Sequence, residues 1–205
     1  MGGKRLTWLL TMLVGACAAT ACVPIPTPIY SADPAQGKLL VSSCALNMNV
    51  PDGIELQVDG VLAQVKLNQH ISRGYVEVRL DVPPGKTVQW QSDLVSIYLH
   101  DGRLPVQARY PSISLVDNPA INSFDTPPAL AQYMVPAQTP MVGGSIEIGS
   151  LLSPKHFWMA ARIDTGRAST ATVTLPAMTV NGTPARFPAL EFRRSVLVVL
   201  APLNC

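Results

Sequence analysis

Three histidines, four cysteines and a scatter of carboxylates are the side chains here that could do chemistry. His70, His100 and His156 lie far apart and never at His-x-His or His-x-x-x-His spacing, so a zinc site would need ligands gathered from distant segments. No metal and no cofactor is expected. Acyl or phosphoryl transfer would want a nucleophile on a strained elbow or a glycine-rich loop, and neither pattern occurs. Gly143-Gly144-Ser145 lacks the closing glycine of an elbow and leads into a strand pattern. Glu55, Glu77, Glu147 and Glu191 fall on the outward phase of alternating segments, where a solvated carboxylate is the ordinary outcome. The chain therefore reads as a non-enzyme. Trp90, Trp158, Tyr75 and Tyr98 could stack on sugars, although Trp90 shares its phase with Val88 and so belongs to a core.

The cysteines carry the clearest signal, through their setting. Lys4 and Arg5 precede Leu6 to Ala16, an uncharged and mostly apolar run of signal-core length. A membrane-spanning helix needs roughly 20 apolar residues, and Pro24, Pro26 and Pro28 stop this one from being extended. Small residues then lead into cysteine twice, in Val14-Gly15-Ala16-Cys17 and in Ala19-Thr20-Ala21-Cys22. Both resemble the lipobox of bacterial lipoproteins, whose cysteine is lipidated after cleavage. The resemblance covers about the first tenth of the chain, and it implies an exported protein with a lipid anchor.

Local box quality favours Cys17 as the lipid attachment site, but parity favours Cys22, which is the expected site, with Cys17 as the alternative. Lipidation of Cys22 discards Cys17 and leaves Cys44 and Cys205 as one pair, whereas lipidation of Cys17 leaves an odd thiol. In an oxidising periplasm a lone pair is expected to form a disulfide, Cys44 to Cys205.

Removing Lys4 and Arg5 with the leader takes the 15 basic residues to 13, equal to the 13 acidic ones. With no basic block left to follow a phosphate backbone, the charge argues against nucleic acid as a partner. The segment after the anchor holds Pro24, Pro26, Pro28 and Pro34, and reads as an extended spacer with no backbone pairing of its own.

The elements that would position any site are strands. Ile54, Leu56 and Val58 alternate with polar residues, as do Val76, Val78, Leu80 and Val82. Pro51-Asp52-Gly53 reads as a turn, Asp59-Gly60 and Asn181-Gly182 as tight hairpin turns, and Pro83-Pro84-Gly85-Lys86 as another turn. The apolar run Val196 to Leu200 predicts a central strand covered on both faces. Eight to eleven short strands are expected. The organisation is then a leader over 1–21, anchor and tether over 22–36, and a single all-β sandwich over 37–205, immunoglobulin-like in pattern only.

One connection, Asp117 to Gly144, is long for a compact domain and rich in apolar residues. Phe124, Tyr133 and Met134 are its candidate partner-docking residues; the plainer alternative is that the segment caps the sandwich. Together these features predict a lipoprotein held in the bacterial envelope, on the outer membrane facing the periplasm. It would bind or position another envelope component, protein before glycan. A carbohydrate-binding or hydrolytic sandwich is the rival expectation.

Overall fold

Where apolar and polar residues alternate, the chain is strand. The computed structural model describes residues 23–44, 48–70, 73–116, 134–148, 151–166 and 168–201. In chain order the strands begin with β1 (Val23–Ala32), β2 (Lys38–Cys44), β3 (Met48–Val58), β4 (Val61–His70) and β5 (Arg73–Val82). They continue with β6 (Thr87–Trp90), β7 (Leu94–Leu99), β8 (Val106–Arg109), β9 (Ser112–Val116), β10 (Met134–Pro136) and β11 (Met141–Val142). The last are β12 (Ser145–Ile148), β13 (Leu151–Ile163), β14 (Thr170–Thr174), β15 (Met178–Val180), β16 (Thr183–Ala185) and β17 (Leu190–Ala201). A 3-10 turn at Pro34–Gln36 is the single helical piece among the described residues.

Three antiparallel sheets result, and the fold is all-β and sandwich-like. The largest runs β10-β9-β13-β5-β4-β3-β2, with β12 paired to β13. A second runs β1-β17-β14-β7-β8, and a small third runs β11-β6-β15-β16. Their inward phases make one core: Val76, Val78, Leu80 and Val82 of β5 with Val95, Ile97 and Leu99 of β7 and Val88 and Trp90 of β6. Trp90 is buried as its phase required, and its indole Nε1 donates to Met159 Sδ at 2.9 Å. The hairpin turns are also as read. Asp59 and Gly60 have φ of 50° and 76°, and Asn181 and Gly182 have 52° and 79°, the paired positive values of a type I′ turn.

Five expectations are corrected. Seventeen strands form among the described residues where eight to eleven are expected. The proline-rich segment is not an unpaired spacer: Val23–Ala32 pairs with β17 along its whole length, from Val23 opposite Ala201 to Ala32 opposite Phe192. Pro24, Pro26 and Pro28 share one phase, so their missing donors all fall on the same side. Because β1 ends its sheet, that side is the open edge, where a strand tolerates proline. Pro51-Asp52-Gly53 is not a turn but lies within β3. There the register passes from Leu40 opposite Gly53 to Val41 opposite Pro51, leaving Asp52 as the extra residue of a bulge. Gly53 is required by close approach, since a Cβ there would stand 2.7 Å from Lys66 Cγ. β17 lies inside its sheet, but β14 accompanies it only from Leu190 to Arg193. Val196 is accordingly 56% exposed rather than covered. Finally, the long connection contains β10 and β11; residues 117–133 lie outside those described.

Tyr110 gives a test of the core. It is buried, and its hydroxyl has no hydrogen-bond partner among the described residues, a state that costs about 1–3 kcal/mol. Burial also raises its pKa above the ordinary 10.0. A raised folded-state value means stability is intact below pH 10 and lost as the pH climbs above it. Tyr110→Phe keeps the ring and removes both penalties. The variant should be more stable by about 1 kcal/mol or more in urea unfolding, with a shallower loss above pH 10. Destabilisation would show that the hydroxyl is bonded after all.

Candidate functional site

Pairing register lines up polar residues across the outer face of the large sheet. One row runs Lys38, Glu55, Gln64, Arg79, Trp158, Ser114 and Met134. A neighbouring row places Asp81 beside His156. The phase is the outward one that the sequence indicates, yet several members are buried: Lys66, Glu77 (8% exposed), Asp81, Ser114 and His156 (3%). Glu77 is thus not the solvated carboxylate expected. It accepts a hydrogen bond from Asn68 Nδ2 at 2.9 Å. Lys66 Nζ meets Asp52 Oδ2 at 3.2 Å, and Glu55 is held by Lys38 and by Gln64, each at 3.0 Å. A charge survives burial when it is paired in this way.

At the centre stands a cluster that sequence reasoning missed. His156 Nδ1 lies 2.6 Å from Asp81 Oδ1, and Arg79 Nε donates to the same oxygen at 3.0 Å. A carboxylate only accepts, so Nδ1 carries the proton. Arg79 Nη2 is 2.9 Å from Nδ1 and 3.3 Å from Nε2; an atom that near both ring nitrogens stands over the imidazole rather than in its plane. Ser114 shares this face, which assembles the residue types of a nucleophile triad. The register sets it opposite Trp158, however, and no hydrogen bond joins it to His156 among the described residues. What the geometry accomplishes is to tie β5 to β13. No local signal could have shown it, because His156 and Asp81 are 75 positions apart.

On the outer face of the β1-β17-β14-β7-β8 sheet lies an open groove of about 300 Å³, lined by His100, Thr170, Thr172, Glu191 and Arg193 among others. His100 Nε2 is 2.9 Å from Thr172 Oγ1, and the Tyr98 ring meets the imidazole edge-on at 4.5 Å. Of the four aromatics singled out for stacking, Tyr98 alone is exposed and next to this groove. Trp90 is in the core, and Trp158 and Tyr75 are half-buried in the large sheet.

The third feature is a set of exposed apolar side chains on two short strands that end their sheets. Met134, opposite Ser114 at the end of the large sheet, is 52% exposed, Val135 beside it is also exposed, and Val142 on β11 is 58% exposed. Phe124 and Tyr133, the other docking candidates, lie outside the described residues. So do Cys17, Cys22 and Cys205; Cys44 closes β2, and no disulfide joins described residues. No group of three metal-binding side chains gathers among the described residues.

Comparison with protein-family models, with curated proteins and with solved structures finds no match for this chain.

Proposed function

We propose that the chain is a lipid-anchored module of the bacterial envelope, on the periplasmic side of the outer membrane, that binds another envelope protein without catalysing a reaction. The observation that carries this reading is the exposed apolar side chains of Met134 and Val135 on β10 and of Val142 on β11, two short strands that each end a sheet. β10 is only three residues long and ends in Pro136, so it offers little backbone for a partner strand. The side chains themselves are the docking surface, and a methionine adapts its shape to what it meets. A photo-crosslinking residue in place of Met134, activated in living cells, should capture a discrete envelope protein. The same label at Gln107 should not.

The anchor reading has its own test. Intact mass of the membrane-extracted protein should show an acylated N-terminal cysteine, and Cys22→Ala should leave unprocessed precursor; Cys17→Ala does so if that cysteine is the site. A soluble, unacylated mature chain would remove the anchor and leave export standing. With Cys22 lipidated, Cys44 and Cys205 are the thiols left to pair in the oxidising compartment this implies.

The Tyr98–His100 groove favours a second reading, in which the module binds glycan. An aromatic ring beside hydroxyl, carboxylate and guanidinium groups is what a sugar contacts. Titration with envelope glycans separates the readings, since saturable binding weakened by Tyr98→Ala belongs to the second alone.

A further inference from the structure

We infer that the paired ends of β1 and β17 form a ribbon that lies against the lipid surface, so that the domain sits directly on its membrane rather than at the end of a tether. This rests on the lipid-anchor reading proposed above. Beyond Arg194, whose amide bonds Ser169 O at 2.7 Å, β17 has no third strand beside it among the described residues. From there Ser195 to Ala201 runs opposite Ile29 back to Val23 as a two-stranded ribbon. Its seven residue pairs extend about 20 Å at the rise of a strand. Neither strand carries a charge over this stretch, and the residues are mostly valine, leucine, isoleucine and proline. Pro26 and Val196 are exposed.

Two features choose lipid over a protein strand as the occupant. Pro24, Pro26 and Pro28 strip the open edge of β1 of every second amide, so another strand cannot pair along it. The same loss leaves fewer unsatisfied donors to place near hydrocarbon. Position supplies the second argument. Cys22 immediately precedes Val23, and one residue spans at most about 3.5 Å, so acyl chains on that cysteine begin where the ribbon begins. At the other end of the uncharged run stand Arg193, which is exposed, and Arg194. Cations at that boundary suit the anionic headgroup layer. The ribbon rests in the interface and does not cross, because its remaining edge groups need water or headgroups as partners.

The test uses the processed protein extracted from membranes and reconstituted into phosphatidylethanolamine–phosphatidylglycerol vesicles. A fluorescent amino acid replaces Val196, Pro26 or, for comparison, Gln107 on β8, the far strand of the same sheet. Shallow nitroxide-labelled lipid should quench most of the emission at 196 and 26 and little at 107. Thermal melting of each labelled protein confirms that it is folded, and intact mass shows whether it is acylated. Acylated, folded protein with no excess quenching at 196 or 26 over 107 overturns the ribbon and leaves the anchor standing. An unacylated chain in the soluble fraction overturns both.

Discussion

Replacing Asp81 with alanine is expected to destabilise the fold by about 3–5 kcal/mol, the range for breaking a buried ion pair from one side. Against a total of about 5–15 kcal/mol for a domain, that is a large share. Asp81 holds both His156 and Arg79 from one carboxylate oxygen, at 2.6 and 3.0 Å, with both partners largely removed from water. Deleting the carboxylate leaves the Nδ1–H of His156 facing a void and takes one anionic neighbour from Arg79. Asp81→Asn keeps an acceptor and should cost clearly less. Replacing Asp81 and His156 together with leucine should cost less than the sum of the two single changes, because the hydrogen bond between them is then lost once rather than counted twice. Urea unfolding of these five variants decides the matter. A wild-type midpoint for Asp81→Ala would mean that the cluster is incidental to the fold.

The same cluster shows where reading the sequence stops. Asp81 and Arg79 sit in the outward phase of β5, and alternation identifies that phase correctly. Whether an outward residue meets water depends on what else covers the face, and periodicity carries nothing about that. Turns were legible for the opposite reason. Asp59-Gly60 and Asn181-Gly182 need positive φ within two residues, a local demand that local composition states. Proline misleads in β1 because its missing donor forbids pairing on one side only, not on both. Three prolines in a single phase are in fact the mark of an edge strand. Pro51-Asp52-Gly53 misled similarly, since the residues that favour a turn also favour a bulge, and only the partner strand distinguishes them. At the candidate sites, Met134 was legible as an apolar residue in an unusual connection. The groove beside Tyr98 is half legible: the tyrosine stands out in the sequence, but Thr172 and Glu191, which line the groove with His100, come from strands far along the chain.

Changing Met134 and Val142 together to lysine is expected to abolish capture of the envelope partner while leaving stability within about 0.5 kcal/mol of wild type. Both side chains are more than half exposed, at 52% and 58%, so neither gives up a buried contact when it becomes polar. A partner that docks on them would have to desolvate two ammonium groups with no carboxylate matched to them, which is costly. Lysine is also a residue that naturally blunts sheet edges. The neighbouring residue supplies the contrast. Met141 is fully buried one position before Val142, and strand alternation turns it into the core, opposite Val88. Met141→Lys should therefore unfold the domain rather than silence it selectively. Crosslinking in cells and thermal melting, run on the double variant and on Met141→Lys, read out both halves. Persisting crosslinks in a folded Met134→Lys, Val142→Lys protein would move the docking surface elsewhere. A collapse of its stability would show instead that this edge belongs to the core, as the capping interpretation of the long connection requires.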